Sequence, residues 1–324
     1  MTTGIALAVI GGSGFYEMPG LGDVEEVVID TPYGAPSDAI RVGSLDGRRV
    51  AFLARHGRHH SILPAELPQR ANIWALKSLG VRSVLAVSAV GSLREAYQPG
   101  ELAIPDQLID RTRGMRPATF FGNGVVAHVG FADPFCPALR EATLSAAKAA
   151  GAAAHDGGTY VCIEGPAFGT RAESALYRQW GASVVGMTAL PEAKLAREAE
   201  LCYALLAAVT DYDSWHEGHD AVDARSVFQV LQRNAAVSRE VVRALSAGLP
   251  DPSGCACQVA LDSALVTAIP AISEEARARL GPILGRRLGG DSNAPPPGLR
   301  MTPESPTTGG VAAGAAGRPS EGDA

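Results

Sequence analysis

Ile5-Ala-Leu-Ala-Val-Ile10, running directly into Gly11-Gly12-Ser13-Gly14, is the stretch whose reading decides the fold. Six apolar residues without alternation describe a strand covered on both faces, and the glycines describe a tight turn at its carboxyl end. In an α/β sheet, ligands collect beyond such strand ends. Glycines let the backbone approach a ligand, and successive N–H groups with a Ser hydroxyl cradle an anion. The motif alone is not specific. Glu17 stands where a dinucleotide fingerprint needs its third glycine, and the Gly-Lys-Ser/Thr end of a phosphate loop is missing. An ordinary strand-to-loop turn has the same sequence.

Working outward, further strands are predicted at Val24–Asp30, Arg49–Ala54, Ser83–Ser88, Gln107–Arg111, Thr159–Ile163, Ser183–Met187 and Leu205–Thr210. Helices are predicted at Pro64–Leu79, Pro137–Ala150, Arg171–Trp180, Pro191–Leu206 and Ala221–Ala247. In the first of these, Leu67, Ala71, Trp74 and Ala75 share one apolar face. Strands alternating with helices predict a single α/β domain over residues 1–287, with a central mixed, largely parallel twisted sheet flanked by helices. From Leu288 to Ala324 the chain turns to Gly, Pro, Ser, Thr and Ala, and is expected to be a disordered tail without chemistry.

Composition narrows the function. Of 324 residues, 46% are hydrophobic and 19% charged, enough for a sizeable core. The net charge of -6, without a Lys/Arg run, argues against nucleic acid or a membrane surface as partner. No apolar run is long enough to span a membrane, and the N-terminus lacks the pattern of a signal peptide. Five cysteines, with Cys255-Ala-Cys257 lacking a second half, give no metal site and fit a reducing cytoplasm.

Three more strand ends carry polar chemistry. Arg55-His56-Gly57-Arg58-His59-His60 offers guanidinium and imidazole donors to an anion, although a solvated basic loop reads the same. Val87-Ser88-Ala89-Val90-Gly91-Ser92 presents a hydroxyl at a Gly-containing turn suited to phosphate or ribose. It lacks the Gly-x-Ser-x-Gly of a nucleophile elbow. Thr210-Asp211-Tyr212-Asp213 sets two carboxylates at a strand end, where burial and repulsion keep one protonated as an acid. A helix-capping Asp turn is the competing explanation.

From Ile5 to the mid-240s, these segments in this order resemble the trimeric nucleoside phosphorylase family, and within it the methylthioadenosine phosphorylase branch. The resemblance also rests on Asp30-Thr-Pro-Tyr-Gly34, Gln69-Arg-Ala-Asn-Ile-Trp-Ala-Leu76, Ile163-Glu-Gly-Pro166 and Gly186-Met-Thr-Ala-Leu-Pro-Glu192. It implies phosphate, a co-substrate, among Ser13, Arg55, His56, Ser88 and Thr188, with no metal and no organic cofactor. It implies Met187 at the ribose, Ile163 and Phe168 at the base, Ala89 among the substrate-binding residues, and Asp211 and Asp213 as the catalytic pair on the purine edge. Val222, Val227 and Phe228 would wall a 5'-alkylthio group, and His128 would reach in from a neighbouring subunit of a homotrimer.

The implied reaction is phosphorolysis of S-methyl-5'-thioadenosine. A 6-aminopurine offers N7 as acceptor and its amino group as donor, which suits one protonated and one ionised carboxylate. The 6-oxopurine branch carries an Asn there and a Glu where this chain has Gly169, although Gly186 resembles that branch. A phosphorylase of 6-oxopurine nucleosides or methylthioinosine is therefore the alternative, and a non-catalytic nucleotide-binding protein the remote one.

Overall fold

The computed structural model describes residues 4–12, 18–216, 224–289 and 300–303. Strand β1 (Leu7–Gly11) lies parallel to both β4 (Arg48–Ala54) and β5 (Ser83–Ser92), and β5 is also parallel to β11 (Cys202–Asp211). Beyond β4 the chain forms an antiparallel meander with β3 (Ile40–Leu45) and β2 (Gly22–Val28). On the other side β10 (Val184–Gly186), β9 (Thr159–Ile163) and β7 (Gln107–Arg111) follow β5 in that order. Two short strands, β6 (Leu102–Ile104) and β8 (Ala154–Asp156), extend from β11. Six of the eleven pairings among the described strands are parallel, the central β4-β1-β5-β11 run included, so the sheet is mixed and largely parallel as expected.

The central strands alternate their side chains between two cores. Ala8 and Ile10, Val84 and Ala86, and Leu205, Ala207 and Val209 face one core. Leu7 and Val9, Leu85 and Val87, and Ala204, Leu206 and Ala208 face the other. Helices cover both faces, which is why these strands read as unbroken apolar runs. Helices α1 (Gln69–Ser78), α4 (Ala189–Glu198) and α6 (Glu274–Leu284) pack on the first face; α2 (Pro137–Ala149) and α5 (Ala224–Ala247) pack on the second. No helix among the described residues is long and apolar enough to cross a membrane.

Strand β5 creates the place where a ligand fits. On one side β11 accompanies it from Ser83 to Gly91. On the other, β1 pairs with it only to Val87 and β10 takes over only at Gly91. Ser88-Ala89-Val90 is therefore left without a strand neighbour on that side, and a crevice opens between the diverging ends of β1 and β10.

Several boundaries differ from the sequence reading. The helix predicted to run from Pro191 to Leu206 stops at Glu198, the chain turns through Glu200 at φ +54°, and β11 begins at Cys202. Apolar residues at every position from Cys202 to Val209 pair with β5, so the sheet wins over the helical pattern. Pro68 starts α1 only at Gln69, leaving Pro64–Glu66 as a separate 3₁₀ turn. The tail reading also needs correction. Leu288 packs against the first core, and Arg300–Pro303 forms β12, antiparallel to β2.

Candidate active site

The crevice is a cavity of about 630 Å³ lined by the ends of β1, β4, β5, β9, β10 and β11. At one end, Arg55, His56, Ser88 and Thr188 come together, all buried. Arg55 directly follows β4 and is 1% exposed. Its Nε and Nη2 donate to the Glu192 carboxylate at 3.0 and 3.2 Å, Nη1 to the Val87 carbonyl at 2.9 Å, and Nη2 to the Ile10 carbonyl at 3.1 Å. A guanidinium has five N–H donors, so one Nη1–H remains for a ligand. Tyr203 donates its hydroxyl to the same Glu192 carboxylate at 2.8 Å. Glu192 thus cancels the charge of Arg55, and the corner offers an anion directed donors with little net positive charge.

His56 has a defined tautomer. Its Nδ1 lies 2.8 Å from the Ile62 carbonyl, so Nδ1–H donates there and Nε2 is bare in the neutral ring. Burial pushes its imidazolium down to about 4, against the pull of that carbonyl. His60 stacks on it at 4.4 Å between ring centres. The Ser88 and Thr188 hydroxyls lie 3.0 Å apart on the cavity wall. Arg58 is engaged elsewhere, with Asp38 at 2.7 Å and Glu26 at 3.0 Å. Ser13 lies outside the described residues.

The far wall carries the carboxylate pair, positioned by a bulge. Val209 pairs with Val90 and Asp211 with Gly91, so Thr210 is an extra residue in β11. Bulges bend a strand and re-aim its side chains. Asp213 then sits at φ +48°, a left-handed conformation that non-glycine residues adopt at some cost. A side chain at Gly91 would come within 3.0 Å of Asp211 Oδ1 and 3.1 Å of Asp213 Cβ, so only glycine leaves the pair its space.

Burial raises both carboxyls above their ordinary range. Asp211 accepts from the Asp213 N–H at 2.8 Å and from the Thr210 hydroxyl at 2.7 Å. The Ser174 hydroxyl and the Ser214 N–H beside Asp213 soften its rise.

Between the two ends lie Ala89, Ile163, Phe168 and Met187. Phe168 is 43% exposed at the mouth, which leaves an aromatic face for a ligand. The segment carrying it is fixed by α3 (Arg171–Gln179), whose cap residue Thr170 and Glu173 bond each other's backbone N–H. Arg116, absent from the sequence reading, ties the other walls together. Its Nε donates to Glu164 Oε1 at 2.6 Å, Nη1 to the Met187 and Leu190 carbonyls, and Nη2 to the Glu164 carbonyl. Nothing in its neighbourhood of sequence marks it, because every partner lies far along the chain.

Gly186 has a packing cause. A Cβ there would lie 2.1 Å from the Tyr160 hydroxyl, which is wholly buried in the core. Its likeness to the 6-oxopurine branch says nothing about the base.

Val222 lies outside the described residues, as do the side chains of Val227 and Phe228; from the described part of α5, Ala235 and Ser238 line the cavity. His128 is exposed on a loop away from the cavity, its N–H bonded to the Ala264 carbonyl. Cys136 and Cys202, distant in sequence, lie beside Cys255 and Cys257 in a cluster remote from this site.

A profile of the phosphorylase superfamily matches residues 6–247. An S-methyl-5'-thioadenosine phosphorylase of Chloroflexus aurantiacus is 57% identical over 280 residues, covering 86% of this chain and 97% of that one. The enzyme of the same name from Geobacter sulfurreducens is 53% identical over 279 residues, covering 86% and 98%. Among solved structures, a methylthioadenosine phosphorylase from an Antarctic soil metagenomic library superposes with a TM-score of 0.82 at 48% identity, over 87% of this chain and 99% of that one. The methylthioadenosine phosphorylase of Schistosoma mansoni, in complex with adenine, gives 0.76 at 33% identity, over 81% and 99%. A crevice at the split of β5 and a profile match that spans every strand lining it make this chain a member of the phosphorylase superfamily.

Proposed function

We propose that the chain catalyses phosphorolysis of S-methyl-5'-thioadenosine, giving adenine and 5-methylthioribose 1-phosphate. The observation that supports the choice of base is the pair of carboxyls, Asp211 and Asp213, on one wall of the cavity. One in its acid form donates to N7 and the other accepts from an exocyclic amino group, whereas the O6 of a 6-oxopurine would set acceptor against acceptor.

In this reading Asp213 accepts from the 6-amino group, and Asp211, held protonated by burial, gives its proton to N7 as the glycosidic bond loosens. Met187 underlies the ribose and Phe168 covers the base. Phosphate sits among Ser13, Arg55, His56, Ser88 and Thr188. One of its oxygens forms the new bond to C1' as the bond to N9 breaks, and the phosphate charge stabilises the oxocarbenium-like state between. With Arg55 neutralised by Glu192, positioning contributes more than net charge. The chemistry needs no metal or organic cofactor, and the proposed setting is a homotrimer in the cytoplasm.

Steady-state kinetics of Asp213→Asn and Asp211→Asn with methylthioadenosine and methylthioinosine test this. Each change is expected to lower kcat/KM for methylthioadenosine by at least about tenfold, the low end for one lost charge-assisted hydrogen bond. Asp213→Asn is expected to raise the inosine-to-adenosine ratio, since its amide can donate to O6. Wild-type rates and unchanged preference in both variants would reduce the pair to a turn and remove the assignment of substrate.

A further inference from the structure

At the opposite end of β11 from the Asp pair, Cys136, Cys202, Cys255 and Cys257 converge from three separate parts of the chain. Their four sulfur atoms all lie within 4.8 Å of one another, and Cys136 Sγ and Cys255 Sγ are 3.6 Å apart. Around a zinc ion with Zn–S bonds of about 2.3 Å, the corners of a sulfur tetrahedron are about 3.8 Å apart. The four thiols thus already occupy the volume of a closed tetrathiolate site and not two separate pairs. We propose that this cluster binds one zinc-class divalent cation, as a structural site distinct from the catalytic crevice.

Each ligand is placed by contacts that do not depend on the ion. The Cys136 N–H donates to the Tyr203 carbonyl at 2.8 Å, which pins the N-cap of α2 beside the start of β11. The Cys202 N–H donates to the Arg82 carbonyl at 2.9 Å. Cys255 joins two consecutive 3₁₀ turns, Pro252–Gly254 and Ala256–Val259, and Cys257 lies in the second. Gln258 docks these turns by bonding Arg82 through both ends of its amide, at 2.9 and 3.2 Å. Its Nε2 also lies 3.6 Å from Cys202 Sγ, the kind of N–H donor that supports a metal-bound thiolate.

Three of the cysteines are buried and Cys255 is half-buried, which leaves one route for an ion to enter. Binding converts four thiols to thiolates, releases their protons to solvent and leaves a site of charge -2. The ion would join β11, the head of α2 and the segment between α5 and α6. It lies about 30 Å along β11 from Asp211, at ~3.3 Å per residue, so its effect falls on stability and not on turnover.

The test uses the full chain, purified under reducing conditions without chelator. Elemental analysis is expected to find about one zinc per chain. Stripping it should lower Tm and leave kcat/KM at a permissive temperature within about twofold, and added zinc should restore Tm. Cobalt(II) added to the stripped chain should give the sulfur-to-metal charge-transfer and d–d bands of tetrahedral thiolate coordination. Cys255→Ser, at the half-buried position, should lose those bands, whereas Cys162→Ala, the cysteine outside the cluster, should keep them. Overturning outcomes are a metal-free chain lighter by the hydrogens lost to disulfides, or one with five free thiols that shows neither cobalt bands nor a zinc-dependent Tm.

Discussion

The Glu192 carboxylate grips the guanidinium of Arg55 through two contacts, 3.0 and 3.2 Å long, in a position where neither side chain reaches solvent. Removing one member of such a pair strands a buried charge, which costs about 3–5 kcal/mol. Arg55→Ala is therefore expected to lose that much in urea unfolding as well as to raise KM for phosphate. Glu192→Gln leaves the guanidinium uncompensated, so phosphate should raise its Tm more than that of the wild type. Equal phosphate-induced shifts in the two proteins would show that Arg55 does not sense the anion.

His56 makes stability depend on pH. Its folded pKa, about 4, lies below the ordinary histidine value of 6.5, so the unfolded chain binds the extra proton first. Its stabilising contribution is complete above pH 6.5 and is lost as pH falls toward 4, by up to about 3 kcal/mol. Comparing urea midpoints of wild type and His56→Gln at pH 7 and pH 4.5 checks this. The variant should lose less on acidification, and an equal loss would contradict the burial described. Phosphate, which favours the charged ring, should take up protons on binding near pH 6.

Arg116 ties residues 163–164 to residues 187–190, two segments that each contribute to the cavity wall. Arg116→Lys keeps the charge but cannot span them. KM for the nucleoside should rise about tenfold or more, with KM for phosphate changed much less. A proportional rise in both would mean that the substitution unsettles the whole crevice.

Gly186→Ala would push a methyl group into Tyr160. The expected result is a loss of about 1–3 kcal/mol, typical of overpacking, with the base preference unchanged. Tyr160→Phe in the same chain should recover part of the stability. A switch toward 6-oxopurines in Gly186→Ala alone would instead make position 186 a determinant of specificity.

What was legible in the sequence is what is written locally. The ends of β4, β5 and β11 each announce themselves as an apolar run followed by Arg-His, Ser or Asp, and the structure sets them around one cavity. Glu192, Arg116 and the Thr210 bulge carry no such signal, because their meaning lies in partners brought near only by the sheet. The cysteine cluster was missed for the same reason: Cys255 and Cys257 look incomplete until β11 and α2 deliver Cys202 and Cys136. The strand β3 and the helix α6 escaped notice because Gly43 breaks the apolar run of the first and Pro282 interrupts the second.

Strand β12 has a consequence for how the molecule is made. Arg300–Pro303 covers the outer row of β2, whose residues Glu25–Val28 are translated near the start of the chain. A nascent chain that has finished its catalytic body still carries this row of bare amides and carbonyls, a template for any neighbouring copy on a crowded polysome. The closing stitch comes last, so slow or prematurely stopped translation should yield chains able to do the chemistry yet inclined to stick to one another.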